Sequence, residues 1–189
     1  MAHATIAAIV ISESILEGQR VRLRPVQPGD LPKFAEWLAD PEVRRWLAAI
    51  PETPTLQDEV EWYEDSRANP DNVLWAIETL EGQLIGTTEL RLAPHAQRAE
   101  LGIAIQDKSQ WNKGYGTETI RLLLEYGFED LELNRIELTV DEANARGRRC
   151  YEKCGFREEG LLRQHRLVEG QFGNTVMMAI LRGEWDGAK

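Results

Sequence analysis

The sequence predicts one mixed α/β domain with elements in the order β-α-α-β-β-β-α-β-α-β-β. Three observations carry this. The chain has 189 residues, the length of a single domain with room for a small appendage. Short alternating runs recur between segments of helical spacing, so strands and helices are interleaved. Three of the strands follow one another directly, which departs from strict βαβ alternation. Hydrophobic residues make up 42% and charged residues 29%, an ordinary globular balance that excludes collagen, coiled coil and wholesale disorder. A domain of this size buries about 70% of its unfolded surface and needs no disulfide or metal staple.

Each element has a local cause. Val21-Arg22-Leu23-Arg24-Pro25-Val26 alternates apolar and polar, as a half-buried strand does. Asp30 is placed to cap the next helix, with Pro32 in its first turn. Leu31, Phe34, Trp37 and Leu38 then fall at helical spacing until Asp40-Pro41 interrupts them, and Val43 to Leu47 suggests a second short helix. Thr55 to Ser66 reads as another helix, carrying Val60 and Tyr63 among many acids. Asn72 to Thr79 and Leu84 to Leu92 are strands joined around Glu81-Gly82, and Ala99 to Gln106 (A-E-L-G-I-A-I-Q) is the third of that run. Gly114 opens a helix whose apolar stripe is Ile120, Leu123, Leu124 and Phe128. Ile136 to Val140 alternates again. Asn144 starts a helix that stops at Gly155. Strands up to Leu167 and from Thr175 to Leu181 close the chain around a Glu169-Gly170 turn. Residues 16–185 form the domain, with 1–15 a leader or short strand and 186–189 a tail.

Charge and cysteines narrow the function. There are 32 Asp+Glu against 22 Lys+Arg, a formal charge of -10. That disfavours nucleic acid as a partner and is compatible with a cationic one, or with a merely solvated acidic surface. Cys150 and Cys154 are four apart, His3, His95 and His165 lie far from them, and no H-E-x-x-H exists, so no metal site is expected. Ile6 to Ile11 is too short to span a membrane and lacks a basic n-region. A cytoplasmic protein is expected, with no membrane partner.

The segment Trp111-Asn112-Lys113-Gly114-Tyr115-Gly116-Thr117 joins a strand to a helix. Glycines permit a tight turn, and the free N–H groups and dipole of a helix start suit an anion, to which Lys113 would add charge. The loop fits neither G-x-x-x-x-G-K-[ST] nor G-x-G-x-x-G, which disfavours a P-loop NTPase and a dinucleotide fold. It is compatible with a phosphate-bearing ligand or with a plain tight turn.

Three blocks in order resolve this by resemblance. They are A-E-L-G-I-A-I (99–105), W-N-K-G-Y-G-T-E (111–118) and N-A-R-G-R-R-C-Y-E-K-C-G-F (144–156). Over about Leu16 to Trp185 the chain resembles the GNAT superfamily of acetyl-CoA-dependent N-acetyltransferases. It departs from the family pattern [Q/R]-x-x-G-x-[G/A] in having Trp111 where Gln or Arg is usual, and Gln110, one position earlier, does not restore the spacing. The departure is similar to the branch that holds ribosomal-protein N-terminal and spermidine acetyltransferases. The resemblance implies a central, mixed, mostly antiparallel twisted sheet flanked by helices, and a possible homodimer. It implies acetyl-CoA held by Trp111, Asn112, Lys113, Gly114, Tyr115, Gly116 and Thr117. Backbone groups of Ile103, Ala104 and Ile105 would hold its pantetheine arm together with Asn144; Gly147 makes room for the ligand chain or for close helix packing, and Lys153 reaches the phosphates or stands on a solvated helix face. It also implies a catalytic glutamate at Glu100 and a proton donor at Tyr151.

The chemistry explains why such groups are needed. Acetyl transfer requires a neutral amine, a stabilised oxyanion and a protonated thiolate. Neutralising an α-amine of pKa about 8 at pH 7 costs about 1.4 kcal/mol, and a lysine-like amine of about 10.4 costs about 4.6 kcal/mol. Glu100 is the candidate base and Glu89 the second. Asn144, Gly147 or Arg148, and Tyr151 share one helical stripe, which suits Tyr151 as the acid, although a half-buried core tyrosine is the other reading. Cys150 and Cys154 read as packing residues rather than nucleophiles, so transfer is expected to be direct.

The acceptor side falls in residues 37–67 and 163–174. There Glu59, Glu61, Glu64 and Asp65 form either a cation-binding cluster or a solvated face. Trp46 and Trp62 line a cleft or pack in the core. The acceptor expected from the resemblance is a protein or peptide N-terminal α-amine, the alternatives being a polyamine, an aminoglycoside, or no acceptor at all in an acyl-CoA sensor.

Overall fold

The computed structural model describes residues 14–47, 54–168 and 170–187. The Ile6–Ile11 reading and Glu169 of the last turn lie outside these. Strands β1 (Leu16–Glu17) and β2 (Val21–Pro25) lead into helices α1 (Leu31–Leu38), α2 (Pro41–Arg44) and α3 (Leu56–Ala68). Strands β3 (Asn72–Thr79), β4 (Leu84–Ala93) and β5 (Arg98–Ile105) precede helix α4 (Tyr115–Glu125). Strand β6 (Arg135–Asp141), helix α5 (Ala145–Lys153), and strands β7 (Arg157–Val168) and β8 (Gln171–Leu181) follow. The expected order holds, with a two-residue strand ahead of it, and the second short helix expected over Val43 to Leu47 is the single turn α2, ending at Arg44.

The eight strands form one sheet, β1-β2-β3-β4-β5-β6-β8-β7. Neighbours are antiparallel except β5 and β6, which run parallel. Alternation along β3 sends residues to opposite faces. Trp75 and Ile77 enter the larger core with Ile120, Leu123 and Phe128, while Ala76 joins Phe34 and Tyr63 on the other side. Helix α4 therefore covers one face of the sheet, and α1 and α3 cover the other. Among the described residues no helix is long and apolar enough to cross a membrane.

One capping expectation fails. Asp30 does not cap α1 through its side chain. Its carboxylate is taken by Arg24, at 2.7 and 2.9 Å, and by the Gln27 N–H at 2.8 Å. The guanidinium competes better than a helix N–H because its two parallel bonds are charge-assisted. Helix α3 starts as the sequence implies, with Thr55 and Asp58 each accepting from the other's N–H.

The functionally decisive feature is where pairing stops. β5 and β6 pair only at Arg98–Arg135, Ala99–Ile136 and Glu100–Glu137. Beyond Glu100, β5 continues against β4 alone and β6 against β8 alone. The two parallel strands splay, leaving one side of residues 101–105 open to a cleft.

Candidate active site

A cleft of about 960 Å³ fills this opening. It brings together residues 103–105, 111–112 and 114–117 with Glu100, Asn144, Gly147, Tyr151 and Lys153. Lys113 does not line it. Its ammonium bonds Gln110 Oε1 at 3.0 Å, and its carbonyl accepts from Arg20 Nη2 at 2.6 Å. The expected extra positive charge comes instead from α5, whose Arg146 and Arg149 line the cleft beside Lys153. Sequence reasoning passed over these two arginines, although both stand within the 144–156 block. Gln106 was passed over as well. It is 4% exposed, lines the cleft, and its Oε1 has no hydrogen-bond partner among the described residues.

The strand-to-helix loop has the geometry of an anion cradle. Gly114 caps α4 at φ 88°, a left-handed conformation that costs glycine nothing and a side chain about 1 kcal/mol. The first helical bond runs from Glu118 N to Gly114 O, at 3.1 Å. The N–H groups of Tyr115, Gly116 and Thr117 thus have no helical partner and sit at the positive end of the dipole. Arg20 braces the loop, donating to the Lys113 carbonyl and lying 4.7 Å over the Tyr115 ring.

Trp111 has a local reason to replace Gln or Arg. Its Nε1–H donates to the Ile105 carbonyl at 2.6 Å, tying the loop to the end of β5. The Arg146 guanidinium lies 3.7 Å over its ring, so one side chain fixes both the strand end and a cation of α5. Asn144 caps α5 by accepting from Gly147 N at 2.9 Å. A Cβ at Gly147 would stand 2.8 Å from Asn144 Nδ2, so the glycine makes room for the asparagine amide.

Tyr151 is half-buried, packed edge-on against Phe156 at 6.0 Å. Burial, with the Cys150 and Cys154 thiols adding to it, holds its phenol above the ordinary value. The hydroxyl therefore stays protonated at neutral pH, as a proton donor must. Cys150 borders the same space, with Sγ 3.3 Å from Thr117 Oγ1. The Cys154 and Thr117 hydrogen bonds hold its thiol below the ordinary value, against the opposing effect of burial.

The carboxylates are unequal. Glu100 Oε1 is 2.9 Å from Arg91 Nη2, and Glu89 bonds the same guanidinium. Asp58 is engaged with Thr55, Glu61 with Gln57, and Asp141 with Arg166. Glu64 and Asp65 are exposed and lie outside the cleft. Glu59 is 7% exposed, lines the cleft, and has no hydrogen-bond or ion-pair partner among the described residues. Burial, and behind it the charge of Asp58, lifts its carboxyl to about 7. Trp46 and Trp62 both line this end, and Trp62 also packs edge-on against Phe34.

Comparison with known proteins agrees with this architecture. The model of the acetyltransferase (GNAT) domain matches residues 20–157. YdaF of Bacillus subtilis (strain 168), which bears the name of a ribosomal N-acetyltransferase, is 30% identical over 183 residues, covering 90% of this chain and 96% of that one. The aminoglycoside N(6')-acetyltransferase type 1 of Klebsiella pneumoniae is 31% identical over 151 residues, covering 74% and 75%. The solved spermidine N-acetyltransferase of Vibrio cholerae, in complex with CoA and spermine, superposes with a TM-score of 0.81 at 26% identity, covering 88% and 98%. The splayed sheet, the anion cradle at α4 and these matches place the chain in the GNAT family of N-acetyltransferases.

Proposed function

We propose that this chain transfers the acetyl group of acetyl-CoA directly to a primary amine, and that the amine is the N-terminal α-amine of a protein or peptide. The observation that carries the reading is the polarity of the cleft. One end is a cradle of free helix N–H groups with Arg146, Arg149 and Lys153, which suits the phosphates of a CoA thioester. The open side of residues 101–105 offers backbone partners to an extended amide chain. Gln106 Oε1, buried and lacking a donor among the described residues, is a further acceptor for an amide N–H. Tyr151 gives its phenol proton to the departing sulfur. Acetyl-CoA enters as a substrate and is consumed.

The other end favours an apolar body that carries positive charge. Trp46, Leu47, Trp62 and Leu74 wall it. Of the described carboxylates there, Glu59 alone has no partner; Glu89 and Glu100 share Arg91, Asp141 pairs with Arg166, and Asp58 and Glu61 bond the neutral Thr55 and Gln57 and keep their charge. A polyamine spreads several cations along a flexible chain, whereas a peptide terminus presents one cation beside a side chain that these apolar walls can hold.

The test is release of free thiol from acetyl-CoA against three pools: N-terminal peptides, polyamines and aminoglycosides. Release with peptides above a no-amine blank is expected. Release with polyamines or aminoglycosides alone would overturn the acceptor. Silence in every pool, with acetyl-CoA still raising Tm, would turn the reading to an acyl-CoA sensor.

A further inference from the structure

Resting on that reading, we infer that Glu59, from helix α3, is the carboxylate that receives the acceptor's ammonium and removes its proton before attack. Three observations carry it. The side chain is 7% exposed, yet it borders the cleft where the acceptor must enter. It has no partner among the described residues, although a buried carboxylate is costly unless something pairs with it. Trp46, Leu47, Trp62 and Leu74 wall the same end of the cleft, so an arriving ammonium meets Glu59 where little water competes.

Among the described residues no cation pairs with Glu59, and Arg45 lies over the Trp46 ring. On the elements packed against α3, Lys33 and Glu36 of α1 bond each other, and Glu78 of β3 is held by Arg24. On α3 itself Asp58 and Glu61 are engaged locally, and Arg67 lies over Tyr63. Across the cleft Arg91 is engaged by Glu89 and Glu100, and Arg166 by Asp141 and the carbonyls of Arg45 and Leu47. His165 bonds Thr175. Glu100 would have to give up its ion pair with Arg91 to accept a proton, whereas Glu59 gives up nothing. Its carboxyl, at about 7, stands within about tenfold in proton affinity of an α-ammonium near 8, far closer than an ordinary carboxylate.

The step balances. The ammonium passes one proton to Glu59. The free amine forms a C–N bond to the acetyl carbon, and the carbonyl electron pair moves to oxygen. That pair returns as the C–S bond breaks, and Tyr151 protonates the sulfur. The nitrogen loses its second proton, which restores the phenol, and Glu59 returns its proton to solvent. The sum is ammonium plus acetyl-CoA giving amide, free thiol and one proton.

The experiment compares wild type, Glu59→Gln, Glu59→Asp and Glu100→Gln, using a peptide with N-terminal alanine over pH 5.5–9.5. In wild type kcat/KM depends on ionised Glu59 and on ammonium, so the profile is a bell between about 7 and about 8. Glu59→Gln leaves only free amine productive. Its profile rises through about 8 without falling, and kcat/KM at pH 7 drops about 100-fold. Glu59→Asp keeps the bell at reduced height. The Kd for acetyl-CoA stays constant in both Glu59 variants, because the cradle lies at the other end.

A second readout needs no turnover. By calorimetry the same peptide binds the CoA-loaded protein at least tenfold more weakly in Glu59→Gln. Unchanged peptide affinity, or a bell that survives Glu59→Gln and vanishes in Glu100→Gln, overturns the assignment. Thiol release equal in wild type and Glu59→Gln sinks the role of Glu59 and leaves acetyl transfer standing. Glu59-dependent peptide binding without thiol release does the reverse.

Discussion

A carboxylate buried without a partner works against folding, and at Glu59 the cost can be sized. Folding lifts its carboxyl from the ordinary 4.5 to about 7. At about 1.4 kcal/mol per tenfold in proton affinity, this comes to the order of 3 kcal/mol. The sign follows from proton binding. Below about pH 4.5 the group is protonated folded and unfolded, and costs nothing. Between there and about 7 the folded state holds a proton that the unfolded chain releases, so stability falls as pH rises. Above 7 the full cost is present. Glu59→Gln should therefore gain stability at pH 8 and very little at pH 4.5, as urea unfolding at the two pH values would show. A gain equal at both would mean that the charge is not what burial penalises. Tyr151 is the converse case, a polar group whose burial favours its working form. Tyr151→Phe should lower kcat about 100-fold or more with acetyl-CoA affinity unchanged, and an unaltered kcat would remove it as the acid. The sequence indicated Tyr151, Asn144 and the 111–117 loop, because each belongs to a short contiguous pattern. It indicated an acidic cluster but not which acid stays free. That depends on Thr55, Gln57, Arg91 and Arg166, whose reach is set by tertiary packing.

At the scale of elements, strand β2 and the helix after it are joined by a polar knot. Arg24 of β2 bonds Asp30, which opens α1, and Glu78 of β3, at 2.7 and 2.8 Å. Their side chains are 19%, 10% and 11% exposed, so water screens the contacts little. Removing the cation would leave two carboxylates facing each other in a poorly solvated place. Arg24→Met should cost about 3–5 kcal/mol in urea unfolding near pH 7. The loss should shrink at low pH, where the orphaned carboxyls protonate. A loss under 1 kcal/mol would mean that water reaches the site. This knot also shows why Asp30 misled: its sequence position is that of a helix cap, and only the fold brings Arg24 within bidentate reach. The periodic elements α1, α3, α4 and β2 to β6 were legible because their apolar spacing is local. The splay of β5 from β6 was not, since it lies in three pairing contacts between strands that α4 separates in sequence. Lys113 and Arg146 changed places for the same reason. The loop's positive φ at Asn112 and Gly114 and the stacking of Arg146 on Trp111 decide which cation faces the cleft.

Over the whole molecule the net charge is -10, yet one end of the cleft must attract an anion. Local cations have to outweigh a repulsive background there, while the same background favours a cationic acceptor at the other end. The two ends should therefore respond differently to salt. Arg149 and Lys153 are exposed, so their attraction for phosphates is screened beyond about 10 Å at 0.1 M salt and about 3 Å at 1 M. Glu59 is buried and is screened far less. Raising salt from about 0.05 to about 0.5 M should weaken acetyl-CoA several-fold, while the peptide's affinity for the CoA-loaded protein falls less. The double variant Arg149→Ala, Lys153→Ala should bind acetyl-CoA more weakly at low salt and lose most of that salt dependence, because the backbone cradle at α4 remains. Calorimetry at the two salt concentrations checks this. An undiminished salt dependence in the double variant would assign the phosphate site to the helix N-terminus and Arg146 alone. A peptide affinity that falls as steeply as that of acetyl-CoA would move the acceptor's charge out of the buried pocket to the rim, where Glu61 stands.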